Sequence, residues 1–367
     1  MDPLAHTLAG AALAQTRLGR STALASPALI LGANSCDIDA ITMFMSRDLS
    51  LGFRRGWTHG VLALVLLPVL LTMLLMLVDR AHGAWRGREP HAQALPLFGI
   101  TSLAVASHPA LDWLNTYGIR LLMPFDGTWY YGDALFIMDP FLWLLLGAPV
   151  VVAHSASRTA ACAWILLGFA TTLLVAGFEG VPTAIRVLWC AGVTVIVWLR
   201  LKGRRWSQRG SGLAAICLAA TAVYIAGMVS TSRIAERKVA AWLVENGKTP
   251  VSILASPVAG NPLRRDIVAV DDEHYHFLQV DWLADEPIRA VDSSIARGAD
   301  GPVVKAALSA PHVRGRANWL RYPFYRVEET PNGFRVSITD LRYARRPGAG
   351  LGGVVVELDH NLRPRTP

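Results

Sequence analysis

Long apolar runs separated by short polar connections fill the chain up to about residue 230, after which the pattern changes to short runs broken by Gly, Pro and Asp. Stretches of spanning length lie at about Gly60–Val78, Leu95–Tyr117, Leu135–Ala153, Ala160–Phe178, Ala184–Leu201 and Gly212–Ser230, near the roughly 20 residues that a bilayer core requires of a helix. Two shorter apolar runs precede them, Leu4–Gln15 and Thr22–Ser35, each about 20 Å long at the helical rise. With Arg17-Leu18-Gly19-Arg20 between them, they predict a short helical hairpin. Beyond the last run, Ile234–Asn246 predicts a helix leaving the membrane, and Asp266–Val270, His274–Val280, Gly333–Thr339 and Gly353–Leu358 predict strands. The expected architecture is mainly α: a polytopic transmembrane helical bundle over residues 1–232, then a small β-rich α+β extramembrane domain over 233–367.

Composition agrees with this division. Hydrophobic residues make up 53% of the chain and charged residues 17%, against about 25% charge in ordinary globular chains. A net charge of +8 in a soluble protein suggests a nucleic-acid partner, but these basic residues sit in short loops between apolar runs, a pattern that reports membrane orientation instead. Alternate connections hold Arg17 and Arg20; Arg80, Arg86 and Arg88; Arg158; then Arg200, Lys202, Arg204, Arg205 and Arg209. The opposite connections hold Arg47, Arg54, Arg55 and Arg120, and the Glu179–Pro182 turn holds none. The first set is expected inside and the C-terminal domain outside. Met1-Asp2-Pro3 lacks the basic start of a secretory signal, so the membrane helices are expected to do the targeting. Cys36, Cys162, Cys190 and Cys217 show no CxxC spacing and read as small apolar residues.

Ionisable residues beside apolar helices are costly to bury and mark a partner or a function. On the expected topology His6, Asp37, Asp39, His59, His108 and Asp112 all fall toward the outer leaflet. His108 and Asp112 are one helical turn apart and share a face, which Asn115 extends. A histidine and a carboxylate so placed can grip one metal. Asp37 and Asp39 face the same way only in an extended or turned segment, as suits a ligand loop at a helix end. Imidazole with carboxylate suits Zn, Mn or Fe, and a set of this size could hold two ions. Asp139 is expected either to cap the following helix or to reach the metal. Arg54, Arg55 and Arg120 are placed to hold an anionic group such as phosphate, or to anchor headgroups. His274 and His276 alternate on one predicted strand face without a clear third ligand.

Five stretches, Asp2-Pro3-Leu4-Ala5-His6-Thr7-Leu8-Ala9-Gly10, Asp37-Ile38-Asp39, Arg55-Gly56-Trp57-Thr58-His59, Ser107 to Gly118 and Phe136-Ile137-Met138-Asp139-Pro140, match in order and context. In them the chain, to about residue 150, resembles the YdjM-like family of inner-membrane metal-dependent hydrolases. The resemblance implies a bacterial inner-membrane protein whose metal-site positions are His6, Asp37, Asp39, His59, His108 and Asp112, with Asp139 a further candidate. Cys36 stands where the family often has proline, and Arg54 where it often has histidine, which takes an imidazole away from the third motif.

The expected function is a multi-pass hydrolase with one or two divalent ions, Zn or Mn first. Asp39, or Asp112 if it is not a ligand, would take the proton from the attacking water, with Arg55, Arg120 and Asn115 holding the substrate. That substrate would be a phosphoester, lipid-linked or periplasmic, with membrane lipids as the surroundings and no nucleic acid. The competing expectations are a metal or proton transporter, which needs polar groups continuing to the inner face, and a scaffold with a structural metal.

Overall fold

The computed structural model describes residues 1–178, 181–202, 210–259, 261–298 and 301–365. Arg204, Arg205 and Arg209 of the basic connections, and Glu179 of the short turn, lie outside the described residues. Helices α1 (Pro3–Ala14) and α2 (Ala25–Gly32) form the predicted hairpin through a 3-10 turn at Leu18–Arg20. A 3-10 segment, Ser35–Phe44, leads to α3 (Arg47–Phe53). The bundle continues with α4 (Val61–Arg86), α5 (Ala94–Trp113), α6 (Pro140–His154), α7 (Arg158–Gly177), α8 (Thr183–Lys202) and α9 (Gly210–Glu245). Among the described residues five helices, α4, α5, α7, α8 and α9, are long and apolar enough to cross a membrane.

The run expected as a span at Leu135–Ala153 is instead the shorter α6. Asp139 starts it late: its Oδ1 accepts the N–H groups of Phe141 and Leu142 at 2.9 and 3.0 Å, and Pro140 occupies the first helical position. Its 15 residues extend about 22 Å at the helical rise.

Two compact units divide the chain. One comprises Met1–Ile38, Arg55–Ser232 and Pro257–Arg264; the other comprises Asp39–Arg54, Arg233–Ser256 and the residues from Arg265 onward. In a lipid environment helices gain little from hydrophobic exclusion, so close backbone approach and interhelical hydrogen bonds must hold them. The first unit uses both. Gly10 of α1 leaves no room for a Cβ beside Leu29 and Ile30 of α2, and Gly32 of α2 likewise abuts Ala104 of α5. Buried Thr72 of α4 and Thr101 of α5 bond each other at 2.8 Å, and the Thr72 hydroxyl also lies 2.7 Å from the carbonyl of Pro68 one turn earlier.

The second unit is built on antiparallel sheets. Strands β1 (Ser252–Val258), β2 (Asn261–Val270), β3 (His274–Asp281) and β4 (Ile288–Ala290) follow one another in order, and β5 (Ile295–Ala296) pairs with β3. Ala235, Val239 and Leu243, at helical spacing on the end of α9, pack on Ile267, Ala269, Leu278 and Val280 of that sheet. After α10 (Pro302–Leu308) and α11 (Arg314–Trp319), strands β6 (Pro323–Thr330), β7 (Gly333–Asp340) and β8 (Val354–Leu358) form a three-stranded sheet. Its core joins Val336, Ile338, Val356 and Leu358 to Ala307 and Val313.

Candidate metal centre

Three segments of the first unit meet at one buried carboxylate. The end of α5 presents Asp112 one turn beyond His108; α1 presents His6; the loop before α4 presents His59 and Arg55. His6, His59, His108 and Asp112 are each fully buried. Asp112 Oδ1 lies 3.1 Å from His6 Nε2 and 3.2 Å from Arg55 Nη2, and also meets the Met1 amino group. Its Oδ2 lies 3.1 Å from His59 Nε2 and 3.5 Å from His108 Nε2. The His6 ring stacks on that of His108 at 3.7 Å, and His59 meets it edge-on at 4.9 Å.

Asp37, His59, His108 and Asp112 each offer a ligand atom, all within 4.8 Å of one another. Whether this group fits a cation can be tested on His108. Its Nδ1 stands 2.7 Å from the Ala33 carbonyl, which can only accept, so Nδ1 carries the proton and the neutral ring turns an Nε2 lone pair inward. That lone pair faces Asp37 Oδ1 at 3.7 Å and Asp112 Oδ2 at 3.5 Å and has no hydrogen-bond partner. A cation between these three electron-rich atoms would answer the His108 lone pair, since an unpaired buried polar atom is costly. The residues therefore fit a metal. The outward nitrogens are tied as is usual for metal-binding histidines, His108 to a carbonyl and His59 Nδ1 to the Thr58 hydroxyl at 3.0 Å.

The remaining candidates are placed as follows. Asp39 and Arg54 fall in the second unit, where Asp39 Oδ1 lies 3.5 Å from Arg54 Nε. Asp139 is buried, with Oδ1 capping α6 and Oδ2 accepting the Tyr224 hydroxyl at 2.8 Å. His6 touches Asp112 and stacks on His108, and its buried Nδ1 has no hydrogen-bond partner. Arg55 takes a left-handed backbone conformation (φ 55°) that turns its side chain inward, donates to Asn115 Oδ1 at 2.9 Å and stacks over Tyr117. Arg120 is buried over Trp129, with its N–H bonded to the Arg55 carbonyl at 2.7 Å. Gly56 lets it pack closely, since a Cβ there would meet the Arg120 guanidinium at 2.6 Å and push it aside.

Sequence reasoning missed the supporting groups, Ala33, Tyr117 and the Met1 amino group. Backbone carbonyls and termini carry no residue-type signal, whereas Tyr117, two residues beyond Asn115, could have been found as an aromatic platform for an outer-leaflet arginine.

Bundle and site together define a multi-pass helical membrane protein with a buried His/Asp group able to hold a metal ion. Residues 1–182 belong to the YdjM inner membrane protein family, so the resemblance carried by the five motifs holds. The chain is also 27% identical, over 163 residues, to the uncharacterized protein YfhP of Bacillus subtilis (strain 168). That alignment covers 42% of this chain and 47% of the relative, so the chain spans about half the length of the curated protein it matches. No solved structure matches the chain.

Proposed function

We propose that the first unit is a membrane-embedded metal-dependent hydrolase acting on a phosphoester, lipid-linked or presented at the outer face of the inner membrane. The observation that carries this reading is the His108 Nε2 lone pair, buried without a hydrogen-bond partner and facing two carboxylate oxygens at 3.5 and 3.7 Å. Asp37, His59, His108 and Asp112 would hold the ion. Mixed nitrogen and oxygen donors suit Zn or Mn, and His6 is the further donor that a second ion would recruit. When bound, such an ion supplies Lewis acidity and a water of lowered pKa.

The chain's own residues supply the rest. Ala33 and Thr58 orient His108 and His59, and Asp112 ties His6, His59 and Arg55 into one geometry. Asp112, one of the two carboxylates expected to take a proton if it is not a ligand, is here among the residues that would hold the ion. Arg55 and Arg120 provide cationic planes suited to a phosphoryl group, and Asn115 fixes Arg55. With the short α6 counted as crossing, the alternation of basic connections supports a periplasmic second unit. Against transport, α7 carries a single charged residue, Arg158 at its first position, and so continues no polar path through the bundle.

The test is elemental analysis of the detergent-purified protein beside folded His59→Ala and His108→Ala variants. Zn, Mn or Fe held by wild type and lost from both variants supports the site and directs a phosphoesterase screen with that metal. A folded wild type that stays metal-free after reconstitution sinks the hydrolase reading.

A further inference from the structure

A second cluster of chemically capable side chains lies in the β-rich unit, among residues that the metal centre does not use. Strand β3 runs antiparallel to β5 with His274 opposite Ala296 and Tyr275 opposite Ile295. One step further in that register sets His276 opposite Ser294. The side chains meet: Ser294 Oγ is 2.7 Å from His276 Nδ1. On the other side of the ring, His276 Nε2 is 2.5 Å from Asp271 Oδ2.

Asp271 is held in place by the turn between β2 and β3, where its Oδ1 accepts the N–H groups of Glu273 at 2.9 Å and His274 at 2.6 Å. That leaves Oδ2 for the imidazole. The carboxylate can only accept, so Nε2 carries the proton and Nδ1 presents a lone pair to the serine hydroxyl. Lys248 Nζ approaches the same Nδ1 at 3.2 Å, which places an ammonium beside Ser294. The His276 ring is 7% exposed and the Asp271 side chain 18%, whereas Ser294 is exposed. The base and its orienting acid are thus sheltered while the hydroxyl meets solvent.

We propose that Ser294, His276 and Asp271 form a serine acyl-transfer site that takes carboxylic esters, with the Lys248 ammonium steadying the oxyanion. Serine is a weak nucleophile until an adjacent base accepts its proton, and a base held by a third group is the arrangement that activates it. In the forward step Ser294 Oγ bonds to the ester carbonyl carbon as its proton passes to His276 Nδ1, and the carbonyl electron pair moves to oxygen beside Lys248. Collapse of the tetrahedral adduct breaks the bond to the alkoxide, which leaves as the alcohol with the proton from His276. Water then repeats the sequence on the acyl-serine, releasing the carboxylic acid and restoring Ser294. Asp271 is a positioning residue: it fixes the tautomer and steadies the imidazolium.

The experiment treats the full chain in detergent with a fluorophosphonate, which bonds to an activated serine through phosphorus and releases fluoride, and maps the adduct by peptide mass spectrometry. Expected are an adduct on Ser294 and not on the neighbouring exposed Ser293, its loss in Ser294→Ala, and labelling slowed roughly a hundredfold or more in His276→Gln, the usual scale of general-base assistance. Asp271→Asn should slow labelling while leaving the adduct on the same serine. Should His276→Gln fail to fold, Asp271→Asn decides, since loss of the carboxylate that positions the base must slow labelling of Ser294. A folded wild type with no adduct on Ser294 overturns the proposal. So does labelling of Ser294 that is as fast in the folded His276→Gln or Asp271→Asn protein as in wild type, which would mark a merely accessible serine.

Discussion

Replacing Gly10 with alanine tests whether helix packing and the metal centre are coupled. A Cβ at this position would stand 2.5 Å from the Leu29 carbonyl oxygen, 2.9 Å from Ile30 Cα and 3.0 Å from Ala33 Cβ. Ordinary contact begins at 3.4 Å, so α1 and α2 must separate by about 0.9 Å, the difference between 3.4 and 2.5. None of the three obstructing atoms is the free end of a flexible side chain, and overpacking of this kind costs about 1–3 kcal/mol. His6 lies one helical turn before Gly10 on the same face of α1, and Ala33, whose carbonyl orients His108, closes α2. Separating the helices therefore pulls His6 from Asp112, or Ala33 from His108, by more than the roughly 0.5 Å that a ligand constellation tolerates. Gly10→Ala should lower the thermal midpoint in detergent and reduce bound metal per chain. Gly99→Ala in α5, with no atom within 4 Å of its Cβ, should be neutral or stabilising by about 0.5–1 kcal/mol. A Gly10→Ala protein that melts with wild type and keeps its full metal would refute the coupling.

Asp139→Ala should cost about 2 kcal/mol, combining the lost cap of α6 with the lost hydrogen bond from the Tyr224 hydroxyl. Asp139→Asn, which can still cap, should recover most of that stability, and both variants should retain metal; a stable Asp139→Ala protein stripped of metal would show instead that Asp139 is a ligand. In the β-rich unit, burial pushes the Asp271 carboxyl up, but the hydrogen bonds from His276, His274 and Glu273 prevail and hold it at about 2. A depressed acid contributes stability that is complete above its unfolded value of 3.8 and is lost as pH falls through about 2. After allowance for solvent screening, wild type should lose about 1–2 kcal/mol more than Asp271→Asn between about pH 5 and pH 2, read from denaturant melts.

How much could be read beforehand depended on how local each signal was. His108 and Asp112 were legible as a pair because helical periodicity alone puts them on one face, and their atoms do stand 3.5 Å apart. The hairpin was legible because two apolar runs flank a basic turn. The cap at Asp139 was legible as one of two roles for Asp139-Pro140, a helix-start signature, but the run was still begun at Leu135 because the apolar residues from there onward outweighed it in a hydropathy reading. The convergence of α1, α5 and the His59 loop could be inferred only from which leaflet each residue was expected to face, because nothing in the spacing states which helices touch. Ser294 was illegible for a related reason: β5 is two residues long and has no periodicity of its own, so its register on β3 exists only in the folded chain.

Buried charge by itself does not identify a site in this bundle. Asp139 is buried, yet its oxygens are taken by two helical N–H groups and the Tyr224 hydroxyl. Asp79 is buried near the end of α4, yet it accepts the N–H groups of His91 and Ala92 at 2.6 and 2.8 Å and pairs with Arg88 at 3.3 Å. Both carboxylates hold helix ends and connections together, and their surroundings already answer their charge. Around Asp112 the chain instead buries His6 Nδ1 and His108 Nε2 without hydrogen-bond partners, and the His108 lone pair points at carboxylate oxygen. A fold that caps Asp139 and Asp79 so fully while leaving these nitrogens without hydrogen-bond partners gathers around Asp112 a group that could hold a metal ion.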